Sequence, residues 1–267
     1  MSDRRSGPTL QVGLGGDDRG VSEVIAFILT FAIILGSVGL LYTTAFGAMM
    51  DYQEAEQDTN AVRAMDSLTD NFNEVLRNNG VNQRYGELSL RDGRVATGDG
   101  GTKLNITIHR NGSNETLGIS DDRFVGYGDG VTAELGEFAY ESDAGSIAYE
   151  GGSLVRGDET GSVVLREPQI RCNPGRNTAI ISLVAVSAED RSIQTSSGLG
   201  IAMTVENRSS KVYTGVNNVT IETEGDAAYE DAWTDILAGW NGDDGRCGDF
   251  GGDGRVVVTL VEADIEY

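Results

Sequence analysis

The stretch VIAFILTFAIILGSVGLLY, residues 24–42, decides how this chain is organised. The uncharged run is longer still, because no charged residue occurs between Val24 and Met50. About 20 consecutive apolar residues are enough to cross the hydrocarbon core of a bilayer. The length and apolarity of the run favour a membrane-spanning helix over a buried helix of a soluble domain.

The basic residues around this segment predict its orientation. Arg4, Arg5 and Arg19 precede it, whereas the first basic residue after it is Arg63. Positive charge is retained on the cytoplasmic side of a membrane helix. We therefore expect a single-pass protein of the cell membrane, with its N-terminus in the cytoplasm and its C-terminal domain outside the cell.

The residues before the helix do not form an ordinary secretory signal, which has a shorter apolar core and a small-residue cleavage site after it. Here Asp17-Asp18-Arg19-Gly20 is followed by Val21-Ser22-Glu23-Val24-Ile25. This pattern resembles the class III signal peptide of archaeal type IV pilins. The resemblance implies that a prepilin peptidase cuts between Gly20 and Val21, and that the N-terminal helix contacts membrane lipid and other pilin subunits.

The same resemblance draws attention to Glu23. In bacterial pilins a glutamate near the new N-terminus pairs with the amine of a neighbouring subunit, but that glutamate lies two positions further along the chain. Pilins of halophilic archaea often carry proline where this chain has Glu23. A carboxylate near a helix N-terminus also interacts favourably with the helix dipole, so both roles stay open.

The helical pattern continues beyond the apolar segment. Apolar residues recur at spacings near three and four, and neither proline nor glycine occurs before the stop signal at Asn78-Asn79-Gly80: Ala55, Val62, Met65, Leu68, Phe72, Val75 and Leu76. A helix over residues 21–77 would be about 85 Å long, whereas the bilayer needs about 30 Å. The rest predicts a stalk whose apolar stripe packs on its own head or on another subunit's helix.

Three carboxylates on the stalk are spaced four residues apart: Asp66, Asp70 and Glu74. Like charges at this spacing repel one another on a helix. The sequence therefore predicts a small electrostatic cost at this point.

Residues 80–267 predict an acidic, antiparallel β-rich, sandwich-like head, which makes the fold class α+β. Short alternating runs are separated by Gly, Asp, Asn and Ser. The predicted strands are residues 87–91, 103–110, 137–141, 146–150, 162–167, 178–187, 200–207, 211–214, 218–223 and 255–261. Phe138 and Tyr140 face Ile147 and Tyr149 in a predicted hairpin, and residues 178–187 are expected to be central.

One helix is predicted within the head, between residues 226 and 241. Trp233, Ile236, Leu237 and Trp240 share one of its faces, which indicates core packing. The domain organisation is thus a cleaved leader (1–20), a transmembrane and stalk helix (21–79) and the head (80–267).

The composition excludes several functional classes. The net charge is -22, from 42 acidic and 20 basic residues, and such a surface repels nucleic acid. Only Lys103 and Lys211 are lysines. This composition resembles that of proteins from halophilic archaea, in which concentrated salt screens the acidic surface.

Enzyme motifs are absent from the sequence. The single histidine, His109, lies in a predicted strand, and no serine has a nucleophile-elbow sequence around it. The glycine-rich stretches lack the G-K-[ST] of a phosphate loop. We expect neither catalysis nor a cofactor.

The residues 241–255, NGDDGRCGDFGGDGR, contain Asp243, Asp244, Asp249 and Asp253 among glycines. Oxygen-rich loops can hold calcium, but the spacing lacks the twelve-residue loop that ends in a bidentate glutamate. An acidic surface loop without a metal is the favoured interpretation.

Two kinds of covalent feature are consistent with export. Five N-x-S/T sequons are candidates for glycosylation, at Asn105, Asn111, Asn114, Asn207 and Asn218. Cys172 and Cys247 either form a disulfide or remain as two thiols, since the sequence does not supply the geometry.

These observations predict a structural subunit, minor rather than major, of an archaeal type IV pilus-like assembly, with a role in adhesion or surface interaction. The alternative is a membrane-anchored extracellular binding domain that does not polymerise.

Overall fold

The computed structural model describes residues 18–89, 93–98, 101–110, 113–117, 133–187, 189–194, 198–224, 229–241, 247 and 250–267. The chain divides into two compact units, Met1–Glu54 and Ala55–Tyr267. The second unit includes the part of the helix that the sequence predicted as a stalk.

Two consecutive helices replace the single predicted one. Helix α1 spans Asp18–Phe72 and helix α2 spans Glu74–Arg77. Asn73 interrupts them, although its backbone N–H still donates to the carbonyl oxygen of Thr69 at 2.9 Å. The predicted end of the helical region near Arg77 is confirmed.

Fourteen strands are described in the head, and they form two sheets. They are β1 (Gln83–Ser89), β2 (Arg94–Gly98), β3 (Lys103–Arg110), β4 (Ser113–Leu117), β5 (Ala133–Glu134), β6 (Glu137–Ser142), β7 (Gly145–Glu150), β8 (Ser153–Asp158), β9 (Gly161–Arg166), β10 (Gln169–Asn173), β11 (Thr178–Val186), β12 (Arg191–Gln194), β13 (Gly198–Glu224) and β14 (Gly254–Glu266). The larger sheet has the order β10-β11-β14-β13-β3-β4, with β1 added on β13 and β5 on β3. The smaller sheet has the order β12-β2-β6-β7-β8-β9. The predicted α+β fold, with a long N-terminal helix and a β-rich head, is confirmed.

The predicted hairpin of β6 and β7 is present. Phe138 pairs with Tyr149 and Tyr140 with Ile147. Gly145 closes the turn with a φ of 119°, a conformation that L side chains rarely adopt. Alternating side chains and a glycine turn were therefore sufficient to predict this pairing.

The pairing of β11 with β14 differs from the prediction. The two strands are parallel, in register from Thr178 and Arg255 to Val186 and Ala263, so the head is not wholly antiparallel. β11 is flanked on both sides but lies next to the edge strand β10. Its nearly continuous apolar sequence fits a strand that is buried on both faces, as is usual in parallel pairs.

The longest strand joins three predicted ones. β13 pairs with β1 near its start, with β14 over most of its length and with β3 near its end. Its pairing with β14 shifts register between Val205 and Asn207 and between Thr214 and Val216. Such bulges bend a strand. The bends allow β13 to pair with β1 and β14 along its first part and with β3 near its end.

Two clusters of buried side chains form the core of the head. The first surrounds helix α3 (Glu230–Asn241), from which Trp233, Leu237 and Trp240 enter it as predicted. The second surrounds the C-terminal part of α1. Alternate residues of β7 contribute Ala148 to the first cluster and Tyr149 to the second. The smaller sheet is therefore buried on both faces.

A disulfide joins Cys172 in β10 to Cys247, with the Cα atoms 5.4 Å apart. Cys247 is fully buried. The bond connects residues 75 positions apart in the sequence. It ties an edge strand of the larger sheet to the segment that follows α3.

Candidate functional site: an exposed apolar helix segment

The N-terminal part of α1 exposes its large apolar side chains. Between Val24 and Tyr52 these side chains are 50–70% exposed. The helical stretch Ser22–Arg77 is long and apolar enough to cross a membrane, with a mean hydropathy of 2.7 over its most apolar 18 residues. Length and composition thus support, at a coarse level, a possible transmembrane helix.

The serine and threonine hydroxyls between residues 30 and 44 are bonded within the helix. Thr30 donates to the carbonyl oxygen of Ala26 at 2.8 Å, and Ser37 donates to that of Ile34 at 2.9 Å. Thr44 donates in the same way to Leu40 at 2.9 Å. Hydroxyl groups bonded to their own helix do not require water. The segment is therefore compatible with a hydrocarbon environment.

The apolar side chains of α1 change from exposed to buried at Ala61. From here one side of the helix is buried within the head: Ala61, Met65, Leu68, Phe72 and Val75 are 0–4% exposed. The ring of Phe72 lies edge-on to Phe138 at 6.4 Å and to Tyr149 at 5.6 Å between centroids. The chain's own head is thus the partner of the stripe over residues 61–75.

Asn73 fixes the end of α1 to the smaller sheet. Its Nδ2 donates to the carbonyl oxygen of Gly152 at 2.8 Å, and its Oδ1 accepts from the Tyr149 hydroxyl at 3.2 Å. The side chain is 2% exposed, so both bonds are buried. A buried amide with both ends bonded specifies one position of the helix on the sheet. This role of Asn73 was not predicted, because an asparagine at that position is simply one more polar residue in the helical pattern.

Two contacts hold the larger sheet against the same helical region. A guanidinium N–H of Arg208 in β13 donates to the carbonyl oxygens of Val75 at 2.8 Å and Val81 at 3.0 Å, and so caps the end of α2. Gly86 in β1 allows a close approach, because a Cβ atom there would lie 2.2 Å from Leu68. A larger residue at position 86 would require the Leu68 side chain or the strand to shift.

The carboxylates predicted to repel one another on the helix are paired with arginines. Asp66 lies 2.7 Å from Arg166, Asp70 lies 3.0 Å from Arg77, and Glu74 lies 3.2 Å from Arg77. These ion pairs offset the predicted repulsion between the three carboxylates. These groups are partly exposed, so each pair contributes at most about 1 kcal/mol.

The other predicted site residues are dispersed. Gly20 and Val21 belong to α1 by their backbone, and Glu23 is exposed on it. Four sequons lie in strands, with Asn105 in β3, Asn114 in β4, and Asn207 and Asn218 in β13, whereas Asn111 is outside the described residues.

Residues 242–246 and 248–249 of the acidic loop lie outside the described residues. Asp243, Asp244 and Asp249 fall there, and Asp253 directly precedes β14. Among the residues that the structure describes, no group of three or more His, Cys, Asp or Glu side chains could hold a metal ion. His109 contacts the Thr220 hydroxyl at 3.1 Å.

A buried carboxylate lies where α3 meets the sheets. Glu150 is 0% exposed and accepts bonds from the backbone N–H of Thr102 at 2.9 Å, from the Thr102 hydroxyl at 2.8 Å and from the indole N–H of Trp233. Burial raises the pKa of Glu150, and these three donors act in the opposite direction. The residue connects three separate elements, which is a structural role.

A second carboxyl group lies close to Glu150. Burial, together with the charge of Glu150, raises the pKa of Glu137 to about 7, while a hydrogen bond from Tyr229 lowers it. Its folded-state pKa therefore lies above the ordinary value of 4.5. The contribution of protonated Glu137 to the free energy of unfolding is therefore fully present below pH 4.5, and it is lost as the pH rises through 7.

We expect the Glu137→Gln variant to lose this pH dependence. Between pH 5 and pH 8 the wild-type free energy of unfolding should fall by about 2.5 kcal/mol more than that of the variant. Chemical unfolding at both pH values and at one fixed salt concentration measures the difference. Glu159→Gln, at an exposed turn position, is the matched control. Parallel pH profiles for wild type and Glu137→Gln would contradict the prediction.

The comparisons with known proteins give one match. A family model described as a family of unknown function (DUF7289) matches residues 19–266. No curated protein and no solved structure matches the chain. The matched region covers α1 and all the described strands of the head. The chain therefore belongs to this family of unknown function, DUF7289.

Proposed function

We propose that this chain is a structural subunit, minor rather than major, of an archaeal type IV pilus-like surface assembly. Its leader is removed between Gly20 and Val21 by a prepilin peptidase, its apolar helix segment enters the membrane, and its head is extracellular. In the assembly the same segment contacts the helices of other subunits, and the head serves adhesion or surface interaction.

The division of α1 into two environments carries the proposal. The helix is buried on one side from Ala61 to Phe72, whereas the apolar side chains from Val24 to Tyr52 remain exposed. Apolar surface on this scale needs lipid or other helices around it. The leader resemblance supports the same conclusion, since type IV pilins present such a helix directly after their cleavage site.

The N-terminus of the mature protein tests the proposal. We expect N-terminal sequencing of the chain purified from cell membranes to begin at Val21. A Gly20→Phe variant should retain the 20-residue leader because the peptidase requires a small residue there, whereas the matched control Gly16→Phe should be processed normally. Retention is read directly as the larger mass of the chain.

Assembly is tested in the same cells. Filaments sheared from the cell surface should contain the processed chain, and the Gly20→Phe variant should be absent from them. A mature N-terminus at Met1 or Ser2 would refute the pilin route and support the non-polymerising anchored domain. A chain that begins at Val21 but never enters the sheared fraction would refute the assembly part alone.

A further inference from the structure

Two sequons share one register at the β13–β3–β4 end of the larger sheet, and a third lies four residues away on β3. Asn218 of β13 pairs with His109 of β3, and His109 pairs with Asn114 of β4. Asn105 lies four residues before His109 in β3 and pairs with Glu222. Residues that were scattered in the sequence are therefore neighbours on adjacent strands.

The side chains of Asn105 and Asn218 lie on the face opposite the core. Their strand neighbours Leu104, Ile106 and Val219 are 0–2% exposed and belong to the cluster around α3. Since successive side chains of a strand point to opposite faces, the two asparagines are turned away from that core. Both side chains are partly buried, and the Oδ1 atom of Asn218 is buried without a hydrogen-bond partner among the residues that the structure describes.

The hydroxyl residue of each of these sequons lies on the same face as its asparagine. Thr107 and Thr220, two positions after Asn105 and Asn218, pair with each other across β3 and β13. Thr107 donates to Oδ1 of Asn105 at 3.3 Å. In both sequons the asparagine and the threonine therefore lie on the same face of the sheet.

The spacing of the acceptors leaves room for separate sugars. Adjacent strands are about 4.8 Å apart, which places the backbones of Asn218 and Asn114 about 10 Å from each other across β3. Asn105 is about 13 Å from His109 along the strand. The environment of Asn207 is different, because its cross-strand partner is the buried residue Glu262 of β14. Asn207 is therefore not one of the proposed acceptors.

We propose that the outer face of β13, β3 and β4 carries N-linked sugars at Asn105 and Asn218. The donor is a lipid-linked oligosaccharide, a polyprenyl phosphate ester of the sugar. The side-chain nitrogen Nδ2 of asparagine forms a bond to the anomeric carbon of the sugar, the bond from that carbon to the phosphate oxygen breaks, and the amide proton and the carrier phosphate are released. No oxidant or reductant is needed.

The sugars would restrict which faces of the head can contact other molecules. A sugar-bearing face remains in solvent, so contacts with another subunit or a target surface must use other faces of the head. The inference rests on the extracellular placement of the head in the proposed function. It adds which face of the head is unavailable for assembly.

Glycopeptide mass spectrometry of the chain purified from the membranes of its own cells tests the proposal. We expect sugar on the peptides that contain Asn105 and Asn218. Thr107→Val should abolish the modification of Asn105, and Thr220→Val that of Asn218, because valine preserves the shape of threonine but removes the hydroxyl. Thr107→Ser and Thr220→Ser keep the acceptor motif and should remain modified.

Either asparagine found unmodified in the wild-type chain would overturn the proposal, and so would sugar that survives in both valine variants. Protease treatment of intact cells separates this failure from that of the proposed function. A head that is cleaved from outside but carries no sugar refutes only the glycosylated face. A head that is protected from protease refutes the extracellular placement, and the glycosylated face with it.

Discussion

Phe72→Ala is expected to destabilise the head by about 3–5 kcal/mol, the range for truncating a fully buried aromatic side chain. Phe72 is 0% exposed and contacts the rings of Phe138 and Tyr149. Its removal leaves a cavity between the helix and the smaller sheet. Denaturant unfolding in detergent, followed by the fluorescence of Trp233 and Trp240, measures the loss.

The two tryptophans make this measurement informative because they lie in the other core cluster, around α3. A shift of their transition shows that the end of α1 unfolds together with the whole head. Phe46→Ala is the matched control, since Phe46 belongs to the same helix but is 53% exposed. It should change the free energy of unfolding by less than about 0.5 kcal/mol. Equal effects of the two variants would contradict the structure.

Reduction of the disulfide between Cys172 and Cys247 is expected to cost about 4 kcal/mol. The bond closes a loop of 75 positions, and in the chain-entropy model the loss grows with loop length. The loop contains β11, β12, β13 and α3, so two long strands of the larger sheet lie within it, whereas their partners β14 and β3 lie outside it. Unfolding of the wild-type chain with and without reductant, at one salt concentration, measures this contribution.

The double variant Cys172→Ser/Cys247→Ser provides the control for the reductant. The free energy of unfolding of this variant should equal that of the reduced wild type to within about 1 kcal/mol. Reductant should not change it further. If the oxidised and reduced wild-type chains unfold at the same denaturant concentration, the bond does not contribute as described.

Local patterns in the sequence were sufficient for several elements. The register of β6 and β7 follows from alternating apolar residues around Gly145, and the bounds of β3 were predicted to the residue. The face of α3 that bears Trp233 and Trp240 follows from helical spacing. In each case the deciding residues are within about a dozen positions of one another, so the local chain geometry alone defines their relation.

Short or polar strands could not be recognised in this way. β2, β4, β5, β8, β10 and β12 were not predicted. Each has two to six residues, and the backbone hydrogen bonds of neighbouring strands hold them in the sheet. Propensity is a weak guide for strands of this kind, because their stability depends on what lies beside them.

Hydrophobicity and its period are properties of neighbouring residues, so an apolar segment followed by a β-rich acidic head could be recognised from the sequence alone. Only the folded structure shows which part of α1 is buried in the head, which arginines face Asp66, Asp70 and Glu74, that β11 and β14 run parallel, and that Asn105 and Asn218 share a face. These relations join residues far apart in the chain. Their formation depends on which surfaces can be buried together, and this is settled only when the whole head is packed.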